Sequence, residues 1–167
     1  MTASGAFRVL VLCTGNSARS QIGEALLTRK GAFRSPMRVI GASAGSHPAP
    51  RVNPWATVTL AAHGIVWGDR APKRIDDVAG ESFDLVITVC DNARDACPFF
   101  PGGAPQVHWG LPDPADETEP EAARRAFGDT YDALDARVTA LLALPLETMS
   151  REELTRAASS IHADVDA

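Results

Sequence analysis

The chain has 167 residues, a formal net charge of −5 and 45% hydrophobic residues, enough apolar material for one domain with a sizeable core. Its basic residues form no run and no apolar stretch reaches bilayer length, which argues against nucleic acid, an acidic membrane surface and a transmembrane span. The N-terminal sequence has none of the parts of a signal peptide, so a cytoplasmic protein is expected; there, three cysteines point to reactive, metal-bound or buried thiols rather than a disulfide framework.

In chain order, FRVLVL (7–12) is a continuous apolar run that reads as a central strand buried on both faces. Residues 20–30 place Ile22, Ala25 and Leu26 on one helical face, and MRVIGAS (37–43) is a second strand candidate. AGSHPAPRV reads as loop. Asn53 before Pro54 suits a helix cap, with the helix ending at Gly64 and turning Trp55, Val58 and Ala62 to one side. FDLVITV (83–89) is the next clear strand, and PQVHWG supplies a fourth, shorter one. From 119 to 144, Phe127, Tyr131, Leu134, Val138 and Leu141 recur at spacings of three and four, predicting one long amphipathic helix. Beyond Pro145, SREE is a weak capping box for a short, loosely docked helix.

Strands alternating with helices predict a single three-layer α/β domain, 1–146, with a four-stranded parallel sheet flanked by helices, followed by a tail at 147–167. Ligands of such sheets bind beyond the carboxyl ends of the strands, near the switch in strand order. Cys13 follows the first strand and Cys90 the third, so both belong at that edge.

The stretch CTGNSARS, a C-x5-R-S pattern, lies between a buried strand and a helix start. Thr14, Gly15, Asn16, Ser17, Ala18 and Arg19 of such a loop can turn backbone N–H groups inward, with the helix dipole adding positive potential. Gly15 permits backbone geometry closed to other residues, and Asn16 can hold the loop by side-chain bonds or take a left-handed conformation. Arg19 offers a planar fork for two oxygens of a tetrahedral oxyanion. In this nest Cys13 is expected to have a lowered pKa and to act as a thiolate, with Ser20 donating a hydrogen bond to its sulfur. The bland alternative is a buried cysteine before a turn of small polar residues.

VLCTGNSARSQIGEALL resembles the low-molecular-weight tyrosine phosphatase superfamily, and SAGSHPAPRVNP, FDLVITVCDNARDACP and HWGLPDPA bring it nearest to the arsenate reductases of that superfamily. The resemblance covers about 7–144 and implies that superfamily's fold. It implies that Cys13 attacks arsenate, Cys90 attacks Cys13, and Cys97 makes the third attack, ending in a Cys90–Cys97 disulfide for thioredoxin to reduce. Such exchange needs a mobile thiol, and the intervening DNARDA is polar enough to fold and unfold. Core packing for Cys90 and a plain loop position for Cys97 are the alternatives; metal binding is disfavoured, since no C-x2-C pair occurs and the four histidines are scattered.

The resemblance also makes Asp113, in GLPDPAD, the general acid. Asp116 and Glu117 read as a solvated patch. Ala115 follows the D-P pair where phosphatases of this type carry aromatics, and Tyr131 is the only tyrosine, which argues against phosphotyrosine. Some relatives bind potassium through residues matching Asn16, Glu24, Ser43 and an aspartate; Lys73 stands at that last position, so no potassium dependence and no cofactor are expected. His63 and His108 are left without a task and read as structural. The implied partners are arsenate, with phosphate or sulfate as analogues, and thioredoxin, acting on a monomer. A phosphatase for small phosphoesters, using Cys13, Arg19 and Asp113, and a redox-responsive oxyanion-binding protein are the alternatives.

Overall fold

Valine and leucine on both faces of a strand demand cover on both faces of the sheet. In the computed structural model, which describes residues 5–96 and 99–166, that strand is β1 (Phe7–Cys13). It lies inside a four-stranded parallel sheet of order β2-β1-β3-β4, with β2 at Val39–Gly45, β3 at Leu85–Thr88 and β4 at Gln106–His108. β1 pairs β2 from Phe7↔Val39 to Cys13↔Gly45, and β3 from Val9↔Leu85 to Leu12↔Thr88. The chain crosses from one side of β1 to the other between β2 and β3, so the order reverses beside β1. Cys13 and Cys90 leave the sheet on that side.

Helices α1 (Arg19–Gly31), α2 (Pro54–Ala62), α3 (Ile75–Val78), α4 (Asp91–Ala96), α5 (Pro120–Leu142) and α6 (Arg151–Asp166) complete the described elements. Leu10, Leu12, Ile22, Leu26, Ile87 and Phe127 are fully buried between sheet and helices, each contributing about 1.5–3 kcal/mol through burial. Among the described residues no helix is long and apolar enough to cross a membrane.

Two local expectations need correction. The Asn53 side chain does cap α2, accepting from the Trp55 amide at 2.9 Å, but the buried face of α2 is Ala56, Thr59 and Leu60. Val58 and Ala62 point to solvent. α2 packs on α1 and α5, and Ala56 is fully buried on its inner face. At the other end of the chain, α6 has 16 residues and buries Leu154, Ala158 and Ile161, rather than resting loosely. The Trp109 indole donates to the Ala158 carbonyl at 2.9 Å, and Arg137 donates to His162 at 3.1 Å. Ser150 and Glu153 exchange side-chain and backbone bonds in the expected capping box.

Candidate active site

The loop after β1 owes its shape to a second loop lying over it. Amides of Ser46, His47, Ala49 and Asn53 donate to the carbonyls of Cys13, Thr14, Gly15 and Ser17 at 2.9–3.2 Å. In a trans peptide the next N–H points opposite to the carbonyl, so this strap turns the amides of residues 14, 15, 16 and 18 toward the loop interior. The Asn16 amide accordingly donates to Cys13 Sγ at 3.2 Å. α1 begins at Arg19 with no side-chain cap, and the Ser20 amide turns to the Cys13 sulfur, one of the backbone bonds that favour its thiolate.

The left-handed residue of the loop is Asn16, with φ of 50°, and not Gly15. A Cβ on Gly15 would meet nothing closer than 3.5 Å, whereas one on Gly45 would lie 2.4 Å from the Thr14 carbonyl oxygen. Gly45, paired with Cys13 in the sheet, is therefore the glycine the loop requires.

Asn16, fully buried, holds the nest from inside. Its Nδ2 donates to Ser20 Oγ at 2.8 Å and Ser43 Oγ at 2.9 Å, and its Oδ1 accepts from the Lys73 amide at 2.8 Å and Gln21 Nε2 at 3.2 Å. Because Ser20 Oγ already accepts from Asn16, its own proton is free to point at Cys13 Sγ, 2.9 Å away. Ser43 donates to Glu24 Oε1 at 2.6 Å, and Glu24 Oε2 accepts from Arg70 Nη1 at 3.2 Å. Lys73 Nζ stands farther off, 4.0 Å from Glu24. Lys73 stands where some relatives carry an ion-binding aspartate, but Arg70, stacked 3.9 Å from the centre of the Trp67 ring, makes the shorter contact. The part played by Trp67 and Arg70 is not visible in the sequence, because their links are long-range: Trp67 Nε1 donates to Gln21 Oε1 at 2.9 Å, and Gln21 in turn bonds Asn16.

The expectation of a lowered Cys13 pKa is not met. Burial pushes the thiol up, and the hydrogen bonds of Ser20 and Asn16 and the Arg19 charge pull downward without overcoming it. Cys13 is only 3% exposed, so the cost of charging it inside the fold exceeds what those dipoles return.

Arg19 lies across the opening. Its Nη1 donates to the Leu111 carbonyl at 2.8 Å and its Nη2 is 3.5 Å from Asp113 Oδ2. Asp113 Oδ1 accepts from the Ala115 amide at 3.0 Å, capping a 3-10 turn at Pro114–Asp116, while Asp116 and Glu117 are exposed. Cys90 is buried, and its Sγ lies 3.2 Å from Thr14 Oγ1 and accepts from the Ala93 amide at 3.3 Å. Thus Arg19, Ser20, Asp113 and Cys90 all gather about Cys13 and its loop. Cys97 lies outside the described residues. A cleft of about 680 Å³ opens here, lined by Arg19, Cys90, Leu111 and Asp113 among others. No phenylalanine, tyrosine or tryptophan is among its described lining residues, and Tyr131 instead stacks on His63 with ring centres 3.7 Å apart. Among the described residues no three potential metal ligands cluster.

A relative from Brevibacillus brevis named arsenate reductase is 36% identical over 130 residues, which are 78% of this chain and 90% of the relative. The structure of an arsenate reductase from Archaeoglobus fulgidus superposes with a TM-score of 0.60 at 30% identity, covering 78% of this chain and 98% of that one. A thioredoxin-dependent arsenate reductase from Corynebacterium glutamicum gives a TM-score of 0.64 at 30% identity, with 84% of this chain matched to 62% of that longer one. The description "Low molecular weight phosphotyrosine protein phosphatase" matches residues 8–157, and with a nucleophile loop of this form the chain belongs to that family.

Proposed function

We propose that the protein is an arsenate reductase of the cytoplasm, active as a monomer and regenerated by thioredoxin through a relay of Cys13, Cys90 and Cys97. The observation that carries this reading is the 3.2 Å contact between Thr14 Oγ1 and Cys90 Sγ, which sets a second buried thiol against the loop of the first. A phosphatase has no use for that thiol. Relatives named arsenate reductase at 36% identity, and a structural neighbour described as thioredoxin-dependent, support the same choice.

Arsenate occupies the loop with its oxygens on the inward amides and the Arg19 fork. The Cys13 thiol gives its proton to the bound oxyanion, which is reasonable for a thiol held above its ordinary value. The sulfur then attacks arsenic, and Asp113 protonates the departing oxygen, which leaves as water. The Cys90 thiolate attacks Cys13 Sγ; the sulfur–arsenic electron pair passes to arsenic, so As(V) becomes As(III), arsenite departs, and a Cys13–Cys90 disulfide remains. Cys97 attacks Cys90 and frees Cys13, and a thioredoxin dithiol reduces the Cys90–Cys97 disulfide.

The test is arsenate-dependent NADPH consumption with thioredoxin and thioredoxin reductase, repeated with each cysteine changed to serine. Turnover is expected in the native protein and in none of the variants, while Cys90→Ser and Cys97→Ser keep hydrolysis of p-nitrophenyl phosphate. Hydrolysis of the ester without arsenate turnover in the native protein defeats the proposal and leaves a phosphatase.

A further inference from the structure

Cys90 stands at the junction of β3 and α4, and the residue after it, Asp91, is held from outside the helix. His108 Nε2 lies 2.9 Å from Asp91 Oδ1. On its other side, His108 Nδ1 lies 2.7 Å from Thr88 Oγ1, the residue facing it across the β3–β4 pair. The imidazole also fills the space that a side chain on Gly110 would need: a Cβ there would lie 2.7 Å from Nε2. Thr88 on the neighbouring strand thus holds one ring nitrogen and Gly110 leaves room for the ring, while the other nitrogen is aimed at the first residue of α4.

α4 has little else to hold it at that end. It spans six residues, and Asp91, Asn92, Arg94 and Asp95 are all exposed. Ala93 is its buried anchor, and the Arg94 guanidinium reaches the same Asp91 oxygen at the longer distance of 3.8 Å. Where Asp91 goes, the Cys90 sulfur follows, since one peptide joins them and the Ala93 amide hangs on that sulfur at 3.3 Å.

Resting on the reductase reading, we infer that His108 is a positioning residue for the second chemical step: by clamping Asp91 it holds Cys90 at Thr14, where its sulfur can attack Cys13. Asp91 and His108 line the same cleft as Arg19 and Asp113 but make no hydrogen bond to either or to Cys13, the residues that carry the first step. Attack of one sulfur on another needs a near-linear approach, so a displaced Cys90 loses rate even when its thiolate is intact.

The experiment uses the full chain carrying Cys97→Ser, so that the relay halts at the Cys13–Cys90 disulfide. After mixing with arsenate, acid quenching and alkylation, the rate of disulfide formation is read by mass. His108→Ala and Asp91→Ala are each expected to slow it about fivefold, the upper end for a pair whose carboxylate is exposed. The double variant should be no slower than either single one, since both remove the same bond. His108→Gln, whose amide can still donate to Asp91, should recover part of the rate. Hydrolysis of p-nitrophenyl phosphate should stay within about twofold in all of them, which also reports on folding. Asp91 is exposed, so its variant keeps the test open if His108→Ala folds poorly. An unchanged rate in Asp91→Ala, multiplied effects in the double variant, or a parallel fall in ester hydrolysis overturns the clamp. If the Cys97→Ser parent forms no Cys13–Cys90 disulfide at all, the reductase reading falls and takes the clamp with it.

Discussion

Cys13 and Cys90 follow adjacent parallel strands and are buried at the same edge of one sheet, but their settings are built on opposite plans. Around Cys13 the loop's carbonyls and buried side chains are tied, which leaves its inward amides for an anion. The strap from residues 46–53 fixes the loop carbonyls, Asn16 bonds four partners, and Gly45 lets the two backbones touch. Around Cys90 there are one short helix with an exposed polar face, pinned at its first residue by His108, a threonine hydroxyl and the amides of Ala93 and Arg94. Stabilising an oxyanion needs dipoles already in place, whereas passing a disulfide along needs a sulfur that can travel. The two regions divide those tasks, and a short helix with few buried contacts belongs to the low-stability end of a fold.

The largest expected effect tests the division itself. Cys13→Ser should lower both arsenate reduction and ester hydrolysis by about 10⁴-fold or more, because the nucleophile serves both. Cys90→Ser should abolish only the first; equal loss of ester hydrolysis would show that the two regions are one machine. Rigidity of the nest comes next. Gly45→Ala forces a methyl to 2.4 Å from the Thr14 oxygen and should cost about 1–3 kcal/mol in urea unfolding. Gly15→Ala, whose methyl would make ordinary contacts no closer than 3.5 Å, should stay within about 0.5 kcal/mol, and the reverse order would unseat Gly45 as the required glycine.

A third effect concerns charge. With Cys90 and Cys97 changed to serine, iodoacetamide labelling reports Cys13 alone. Since burial holds that thiol above its ordinary value, labelling should keep rising through pH 9.0 instead of levelling below it. Ser20→Ala removes a bond that favours the thiolate, so the profile should move further to high pH, with labelling at neutral pH slowed about tenfold. A plateau at neutral pH would contradict the direction of the shift. The smallest effect is none: adding potassium should leave turnover unchanged, because Arg70 and Lys73 already face Glu24, and clear activation would defeat that idea.

Much of this was legible in the sequence. β1 and β3 carry period-free apolar runs, and α5 announces itself through Phe127, Tyr131, Leu134, Val138 and Leu141, all of them buried. The nest was readable because a cysteine, an asparagine and an arginine at fixed spacing have few other reasons to meet between a strand and a helix. What was hidden depends on distance in the chain. Gly45 matters only because Thr14 lies against it, and Arg70 only because Glu24 does. α4 is too short and too polar to show a periodic pattern, and the exposure of Val58 follows from where α2 sits on its neighbours. The thiol's direction was misjudged for a related reason: the loop's dipoles can be read locally, but the depth at which the fold buries them cannot.

Arg19 carries one more consequence. Its guanidinium grips the Leu111 carbonyl and stands beside Asp113, so it is the rivet between the nucleophile loop and the loop bearing the acid. A guanidinium has five N–H groups in one plane, so those not spent on Leu111 can turn to an oxyanion seated in the nest while the rivet stays closed. One side chain can thus hold both loops and an anion between them, a division of donors that lysine, a point charge without a planar fork, does not offer.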